Sequence, residues 1–367
     1  MEEKKDYHII MEGYLGSFPA WAIYLVGGIV LLLTAYGLYV MLRPAPQAAL
    51  DKAIGRFSAY MDVVKPAPLG CPVAGDLRIC DYYVASSAYS VFPANTVTDY
   101  VSDNILPLVI KSGARMVELD VYSDEQDQPV VGLKNQNLGY DYSYNSVPLQ
   151  ACCVAIANTA FTPTETPLAT DPFILSLVFH SEKTVTMNAT ADILKDTLRK
   201  FMLTPEYSYQ RRDMAAEPIC TIKGKLLLVS GGNFTGTKME ELVNLSWTSS
   251  NLRRLTYMQA SQPYDHDELI DNNRQKITMV VPDATSSLKN SNPEILFAYG
   301  CQWNMMSYGS VDGMMEFYIA HFKDRSFVEK PEALRYKKKT YATPTPPDPG
   351  LSFQPKNLKT PVFNLTL

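Results

Sequence analysis

The chain has 367 residues, of which 46% are hydrophobic and 19% are charged, and its formal net charge is −5. A chain of this length and composition can bury one large core and carry appendages. Its mildly acidic balance argues against nucleic-acid binding and gives no general attraction to anionic lipid.

Residues 18–42 form an apolar stretch inside an uncharged run from Gly13 to Leu42. The stretch is long enough to cross a bilayer as a helix. Aromatic residues lie near both of its ends, as at membrane interfaces: Trp21, Tyr24, Tyr36 and Tyr39. A cleaved signal peptide has a shorter apolar core and a small-residue cleavage site. We therefore predict an N-terminal segment, residues 1–17, then a retained transmembrane helix that makes this a single-pass membrane protein.

The charges that flank the apolar stretch say little about its orientation. Lys4 and Lys5 precede it, whereas Arg43, Lys52 and Arg56 follow it. Because the side richer in Lys and Arg tends to stay in the cytoplasm, the small excess predicts that the following domain faces the cytoplasm.

Residues 43–77 form a connector, and its stretch from Arg43 to Leu69 has a Pro-Ala-Pro run near each end. The sequence between these two runs predicts a short amphipathic helix, which would hold the following domain close to the membrane.

The six cysteines show no Cys-x-x-Cys pair and no His/Cys ligand spacing, which argues against a zinc site. Cys71 and Cys80 bracket a small loop, so a disulfide between them and a pair of buried thiols are both compatible with the sequence. Four Asn-x-Ser/Thr sequons occur, at Asn188, Asn233, Asn244 and Asn364. Their use would conflict with a cytoplasmic domain, and the sequence does not resolve this conflict.

Residues 81–92 and 113–122 each read as a strand, because β-branched and aromatic residues cluster in them between turn-forming residues. The segment between them has helical spacing, which predicts a strand–helix–strand unit. Glu118 and Asp120 are two residues apart, so both carboxylates point to one face of the second strand. They are candidates to bind a hard cation or to act as acid and base.

Strands and helices alternate in the rest of the chain, which predicts a (β/α) barrel. The predicted strands are residues 171–180, 225–231, 252–259, 276–283 and 298–308, and the predicted helices are residues 151–161, 187–203, 238–245 and 314–322. From residue 337 to residue 367 the chain becomes a proline-rich, extended tail.

Three of these runs carry a family resemblance: SSAYS at 86–90, VELD at 117–120 and PFILSLVFH at 172–180. They resemble SSHNTY, VELD and PVILSLENH in the catalytic core of the phosphoinositide-specific phospholipases C. Weaker matches continue in order to residue 335, so the resemblance covers the X and Y halves of that family's barrel. It implies that residues 78–336 form a distorted (β/α)₈ TIM-type barrel.

The same resemblance implies that the catalytic histidines are replaced. Ala88 stands where the family has its first histidine, and no histidine occurs near Asn135, where the second would fall. Imidazole suits acid–base work because it titrates near neutrality. The chain has no histidine between His8 and His180, so this pair of catalytic groups is missing.

The family's calcium ligands are also reduced. Tyr89 stands at the asparagine ligand and Val178 at one glutamate ligand, which leaves Glu118 and Asp120. Two carboxylates are a poor cage for an ion that takes six to eight oxygens, so we predict no cofactor beyond weak calcium. The family's headgroup-binding lysines would fall near Val229 and Gly231, which carry no charge.

Three hypotheses about function follow. The first is a membrane-anchored, catalytically inactive scaffold that binds other protein subunits through its tail, within a large membrane-apposed assembly such as a virion with an internal membrane. The second is an inactive barrel that senses lipid or inositol phosphate. The third is a divergent lipid phosphodiesterase that uses Glu118 and Asp120.

Overall fold

The structure is a computed structural model that describes residues 19–42, 45–71, 77–93, 98–135, 140–283, 288–337 and 355–366. Its helices are Ala20–Met41 (α1), Pro46–Val63 (α2), Ile105–Lys111 (α3), Leu149–Ala160 (α4), Thr184–Leu198 (α5), Tyr257–Ser261 (α6), His266–Asn273 (α7), Glu294–Ala298 (α8) and Gly313–Phe322 (α9). The predicted N-terminal segment and residues 338–354 of the predicted tail lie outside the described residues.

The strands are Tyr82–Val84 (β1), Ser86–Ala88 (β2), Met116–Ser123 (β3), Pro129–Val131 (β4), Lys134–Asn135 (β5), Tyr140–Asp141 (β6), Val147–Pro148 (β7), Phe173–Phe179 (β8), Leu226–Ser230 (β9), Leu245–Ser246 (β10), Leu252–Thr256 (β11), Ile277–Val281 (β12), Trp303–Ser307 (β13), Phe327–Glu329 (β14), Asn357–Lys359 (β15) and Asn364–Thr366 (β16).

Eight parallel strands form the barrel sheet, in the order β10-β9-β8-β3-β2-β13-β12-β11. The strands that run through the centre are buried on both faces and therefore read as near-continuous apolar runs. Among the described residues, no pairing joins β10 to β11, so the barrel is nearly closed with one seam. The predicted distorted (β/α)₈ barrel is confirmed.

The predicted helix over residues 238–245 is wrong. These residues form turns that lead into β10. Met239 and Val243 are buried, which explains the apolar spacing that suggested a helix.

α1 is apolar throughout and long enough to span a membrane, and no part of it is buried against the rest of the protein. It begins after Pro19 and contains no acidic or basic residue. The length and composition of α1 agree with the predicted single membrane-spanning helix.

The connector helix α2 packs onto the barrel. It begins at Pro46, where the fixed φ of proline favours a first helical position. Its buried residues, Ala49, Ala53, Phe57 and Tyr60, recur every three or four positions and so form one face. Val64 follows the helix and contacts Gly113, whose φ of +95° and lack of a Cβ permit this close approach.

We expect Phe57→Ala to destabilise the protein by about 3–5 kcal/mol, because it leaves a cavity where a fully buried ring was. Ile54 lies on the same helix and is 43% exposed. Ile54→Ala is therefore the matched control and should cost less than about 0.5 kcal/mol. Denaturant unfolding of the detergent-solubilised protein measures both. Equal effects would mean that α2 does not dock as described.

A disulfide links Cys71 to Cys220, with 5.8 Å between the two Cα atoms. The Cys71–Cys80 pairing considered from the sequence is therefore wrong. Cys80 is a buried free thiol whose Sγ lies 3.8 Å from the Arg274 carbonyl oxygen. Proximity in sequence suggested Cys80 as the partner of Cys71, but the fold brings Cys220 next to Cys71 near the end of the connector.

The end of the predicted extended tail forms a hairpin. β15 and β16 pair antiparallel, with Leu358 opposite Leu365. Every residue of the two strands is exposed.

Candidate functional site

The candidate site lies at the carboxyl end of the barrel strands, where barrels of this type place their sites. Strand register aligns Glu118 on β3 with Ser176 on β8, and Ser176 with Val229 on β9. Two residues further along β3, Asp120 is aligned with Val178. The parallel pairing thus puts the two predicted carboxylates at one mouth of the barrel.

Glu118 is held by three groups. Its Oε2 accepts a hydrogen bond from the Ser176 hydroxyl at 3.0 Å, and its Oε1 accepts one from an Arg254 Nη at 2.9 Å. Its backbone N–H donates to the Ser90 hydroxyl at 3.2 Å. Because burial removes the carboxylate from water, the pKa of Glu118 is raised, although the Arg254 cation opposes the shift.

The Glu118–Arg254 ion pair crosses the barrel. β3 and β11 are four places apart in the strand order, and they are also four apart when counted through the seam. They therefore lie on opposite sides of an eight-stranded barrel. The pair fills the space between them at the mouth, with Glu118 almost fully buried and Arg254 24% exposed.

Trp247 covers the seam beside this pair. The Arg254 guanidinium lies 5.0 Å from the centre of the indole ring. The same ring lies against Gly231, so closely that a Cβ on Gly231 would be 1.8 Å from the indole Nε1. Only glycine fits there. The position at which the family resemblance places a headgroup-binding lysine is thus occupied by an aromatic ring.

Asp120 is paired with a histidine. The His180 Nε2 lies 2.7 Å from the Asp120 Oδ1, and both side chains are 16% exposed. The imidazole stacks on the Tyr122 ring, with the ring centres 4.5 Å apart and the planes 7° apart. His180 follows the carboxyl end of β8, so this pair lies at the barrel mouth as well.

The remaining predicted positions are less polar. Ala88 ends β2 and is buried, so a methyl group stands where the resemblance places a histidine. Tyr89 follows with a φ of +52°, and burial raises the pKa of its phenol well above 10. Its oxygen is neutral at physiological pH. Asn135 ends the two-residue strand β5, where its backbone pairs with Tyr140.

Comparison with known proteins agrees with this geometry. Residues 76–230 match the family model for the phosphatidylinositol-specific phospholipase C, X domain. The PLC21 structures of S. officinalis and L. pealei both superpose with a TM-score of 0.61 at 18% identity, and they cover 73% and 74% of this chain. The barrel has the fold of a phosphoinositide-specific phospholipase C.

The chain spans about two fifths of those two proteins, 39% and 40% of their lengths. A calcium-dependent phosphoinositol-specific phospholipase C from Pseudomonas sp. is also similar, with a TM-score of 0.42, 12% identity and coverage of 72% of this chain and 96% of its own. No curated protein matches the sequence.

The donor set of this phospholipase-C-like barrel does not fit the calcium ion that the family resemblance implies. Each of the two carboxylates already has a cationic or imidazole partner from the chain itself. Tyr89 offers a neutral phenol and Val178 offers no oxygen. In the part of the chain that the structure describes, no cluster of three or more His, Cys, Asp or Glu side chains is arranged to hold a metal.

Two residues of the site, Arg254 and Trp247, were not predicted from the sequence. The sequence did contain a signal for Arg254, because Arg253 and Arg254 are adjacent in a predicted strand. Side chains of adjacent strand residues point to opposite faces. One arginine must then face the barrel interior. Arg253 faces outward and pairs with Glu268, whereas Arg254 points inward to Glu118.

Proposed function

We propose that this phospholipase-C-like protein is a membrane-anchored, catalytically inactive scaffold, a structural subunit of a large membrane-apposed assembly. The observation that carries the proposal is the ion pair across the barrel mouth. Arg254 supplies the positive charge that Glu118 would otherwise take from a metal, and it does so with a group that cannot leave. The barrel then keeps its shape without the chemistry, and its surface is what remains useful.

The acid–base groups support the same proposal. A buried methyl at Ala88 can neither accept nor donate a proton. Each positioned acid or base typically contributes about 10²–10⁴-fold to the rate, so the loss of two leaves little turnover.

Hydrolysis of phosphatidylinositol vesicles by the purified full-length protein tests the inactivity. We expect no inositol phosphate above the level of a mock purification, with or without calcium. Glu118→Gln is the matched control, because it removes the carboxylate and keeps the shape. Product that forms with the unmodified protein and disappears with Glu118→Gln would overturn the proposal.

The C-terminal tail supports the proposal that the protein is a scaffold. A two-stranded hairpin alone is marginally stable in water, and the hairpin β15–β16 exposes apolar side chains at Leu358, Val362, Phe363 and Leu365. We propose that other protein subunits cover it. A virion with an internal membrane is one assembly in which an anchor, a barrel and such a tail would join a bilayer to a protein layer.

Isolation in mild detergent from the native source tests the assembly. We expect stable protein partners to travel with the full chain, and to be lost when the chain is truncated after residue 336. Recovery of the full chain as a monomer without a partner would contradict the scaffold.

The Asp120–His180 pair favours a second candidate function, a divergent lipid phosphodiesterase. A carboxylate that orients an imidazole is an acid–base arrangement, and the pair lies at the barrel mouth. His180→Ala distinguishes the two functions. Turnover that is lost with His180→Ala and with Glu118→Gln would establish the phosphodiesterase.

The lipid-sensing alternative has less support, because Trp247 fills the space beside Gly231. One feature favours it: the Arg254 Nε is buried and has no hydrogen-bond partner among the described residues. Titration with inositol phosphates tests this alternative, and we expect no saturable binding.

A further inference from the structure

The disulfide Cys71–Cys220 ties the end of the connector to the barrel. Disulfides persist in oxidising compartments and are rare in the cytosol. The other cysteines of the described residues, Cys80, Cys152, Cys153 and Cys301, are free thiols, and all are buried. The Cys71–Cys220 pair therefore differs from the other cysteines in its oxidation state, and a bonded pair is typical of an oxidising compartment.

The sequon Asn233-Phe234-Thr235 is presented at the surface. Asn233 is exposed, Phe234 is buried beneath it, and the Asn233 Oδ1 accepts a hydrogen bond from the Thr235 N–H at 3.1 Å. This is an Asx turn, which holds the side chain over its own loop. The Nδ2 has no hydrogen-bond partner among the described residues.

Two other sequons are unsuitable in the folded barrel. Asn244 is buried, its Oδ1 accepts from the Leu228 N–H, and its Nδ2 donates to the Tyr207 carbonyl. Asn188 lies half-buried on α5, where its Oδ1 accepts from the Lys238 N–H. The Thr190 hydroxyl of that second sequon is buried and donates to a helix carbonyl.

We propose that the barrel lies on the extracytosolic side of the membrane and that Asn233 is an N-glycosylation site. The charge count around α1 predicts the opposite side, but it rests on an excess of one residue. In the transfer, the Asn233 Nδ2 forms a bond to the anomeric carbon of a polyprenyl-diphosphate-linked oligosaccharide. The bond from that carbon to the diphosphate oxygen breaks, the diphosphate leaves with the electron pair, and Nδ2 loses one proton.

The glycan would stand at the barrel mouth, because the Asn233 loop directly follows the carboxyl end of β9. A bulky polar group there would hold a lipid surface away from Glu118 and Arg254. The inference does not rest on the proposed scaffold, and a glycan in this place is compatible with that scaffold.

Expression of the full chain in cells with a secretory pathway tests the site. We expect a mobility shift that peptide-N-glycosidase removes, with the modified peptide containing Asn233. Asn233→Gln should remove that modification, and the matched control Asn188→Gln should leave it unchanged. An unmodified Asn233 peptide would overturn the assignment of the site.

Counting thiols in the same material tests the side of the membrane. After denaturation without reduction, a maleimide should label four of the six cysteines. After reduction it should label all six. Labelling of all six before reduction would overturn the extracytosolic placement.

Discussion

Arg254→Met is expected to destabilise the folded protein by about 3 kcal/mol at neutral pH, because it leaves the buried Glu118 carboxylate without its cation. Removal of one partner of a buried ion pair typically costs about 3–5 kcal/mol. The lower end applies here, since the Arg254 side chain is 24% exposed. Denaturant unfolding of the detergent-solubilised protein gives the difference.

The loss should depend on pH in a defined direction. Burial already raises the pKa of Glu118 above its value of 4.5 in the unfolded chain, and Arg254 opposes that rise. Without Arg254 the folded-state pKa rises further, so the folded state of the variant binds a proton over a wider pH range. Relative to the unmodified protein, the stability of the variant therefore falls as the pH rises above the folded-state pKa that Glu118 has with Arg254 present. The difference between the two proteins should shrink as the pH is lowered towards 4.5.

Two control variants distinguish the effect of breaking the ion pair from the effect of removing any arginine. Arg253→Met removes the neighbouring arginine, which pairs with Glu268 at the surface, and should cost less than about 1 kcal/mol. Glu118→Gln combined with Arg254→Met removes both charges and should recover part of the stability. Equal losses for Arg253→Met and Arg254→Met would show that the pair does not cross a buried barrel mouth.

Deletion of residues 1–45 should change the protein from membrane-integral to soluble. α1 is apolar throughout and exposes that apolar surface, whereas α2 begins at Pro46 and packs one buried face onto the barrel. The full chain should remain in the membrane pellet after alkaline carbonate extraction, and the shortened chain should appear in the supernatant.

Deletion of residues 1–17 alone is the matched control and should leave the protein in the pellet, because α1 is intact. Full-length protein that is soluble without detergent would show that α1 does not span a bilayer.

The sequence predicted the parts of the fold that local patterns determine. Glu118 and Asp120 could be placed on one strand face because strand side chains alternate with a period of two. α1 could be predicted because an uncharged apolar run of this length is rare elsewhere. The turns at residues 238–245 were misread, since Met239 and Val243 are buried at a spacing that a helix also produces.

The charge that completes the site could not be predicted in the same way. Arg254 is 136 residues from Glu118 in the chain and reaches it across the barrel. That contact can be inferred only once the strand order is known, and no local sequence pattern determines the strand order. The Cys71–Cys220 pairing could not be predicted for the same reason, because its two cysteines have a sequence separation of 149.

Calcium titration of the purified full-length protein tests the central claim, that Arg254 and His180 of the chain itself have taken the place of a metal at the barrel mouth. We predict no binding tighter than about millimolar in a calorimetric titration, because neither Glu118 nor Asp120 is free and two carboxylates do not complete a calcium shell. Binding at about micromolar concentration that is lost in Glu118→Gln would contradict the account.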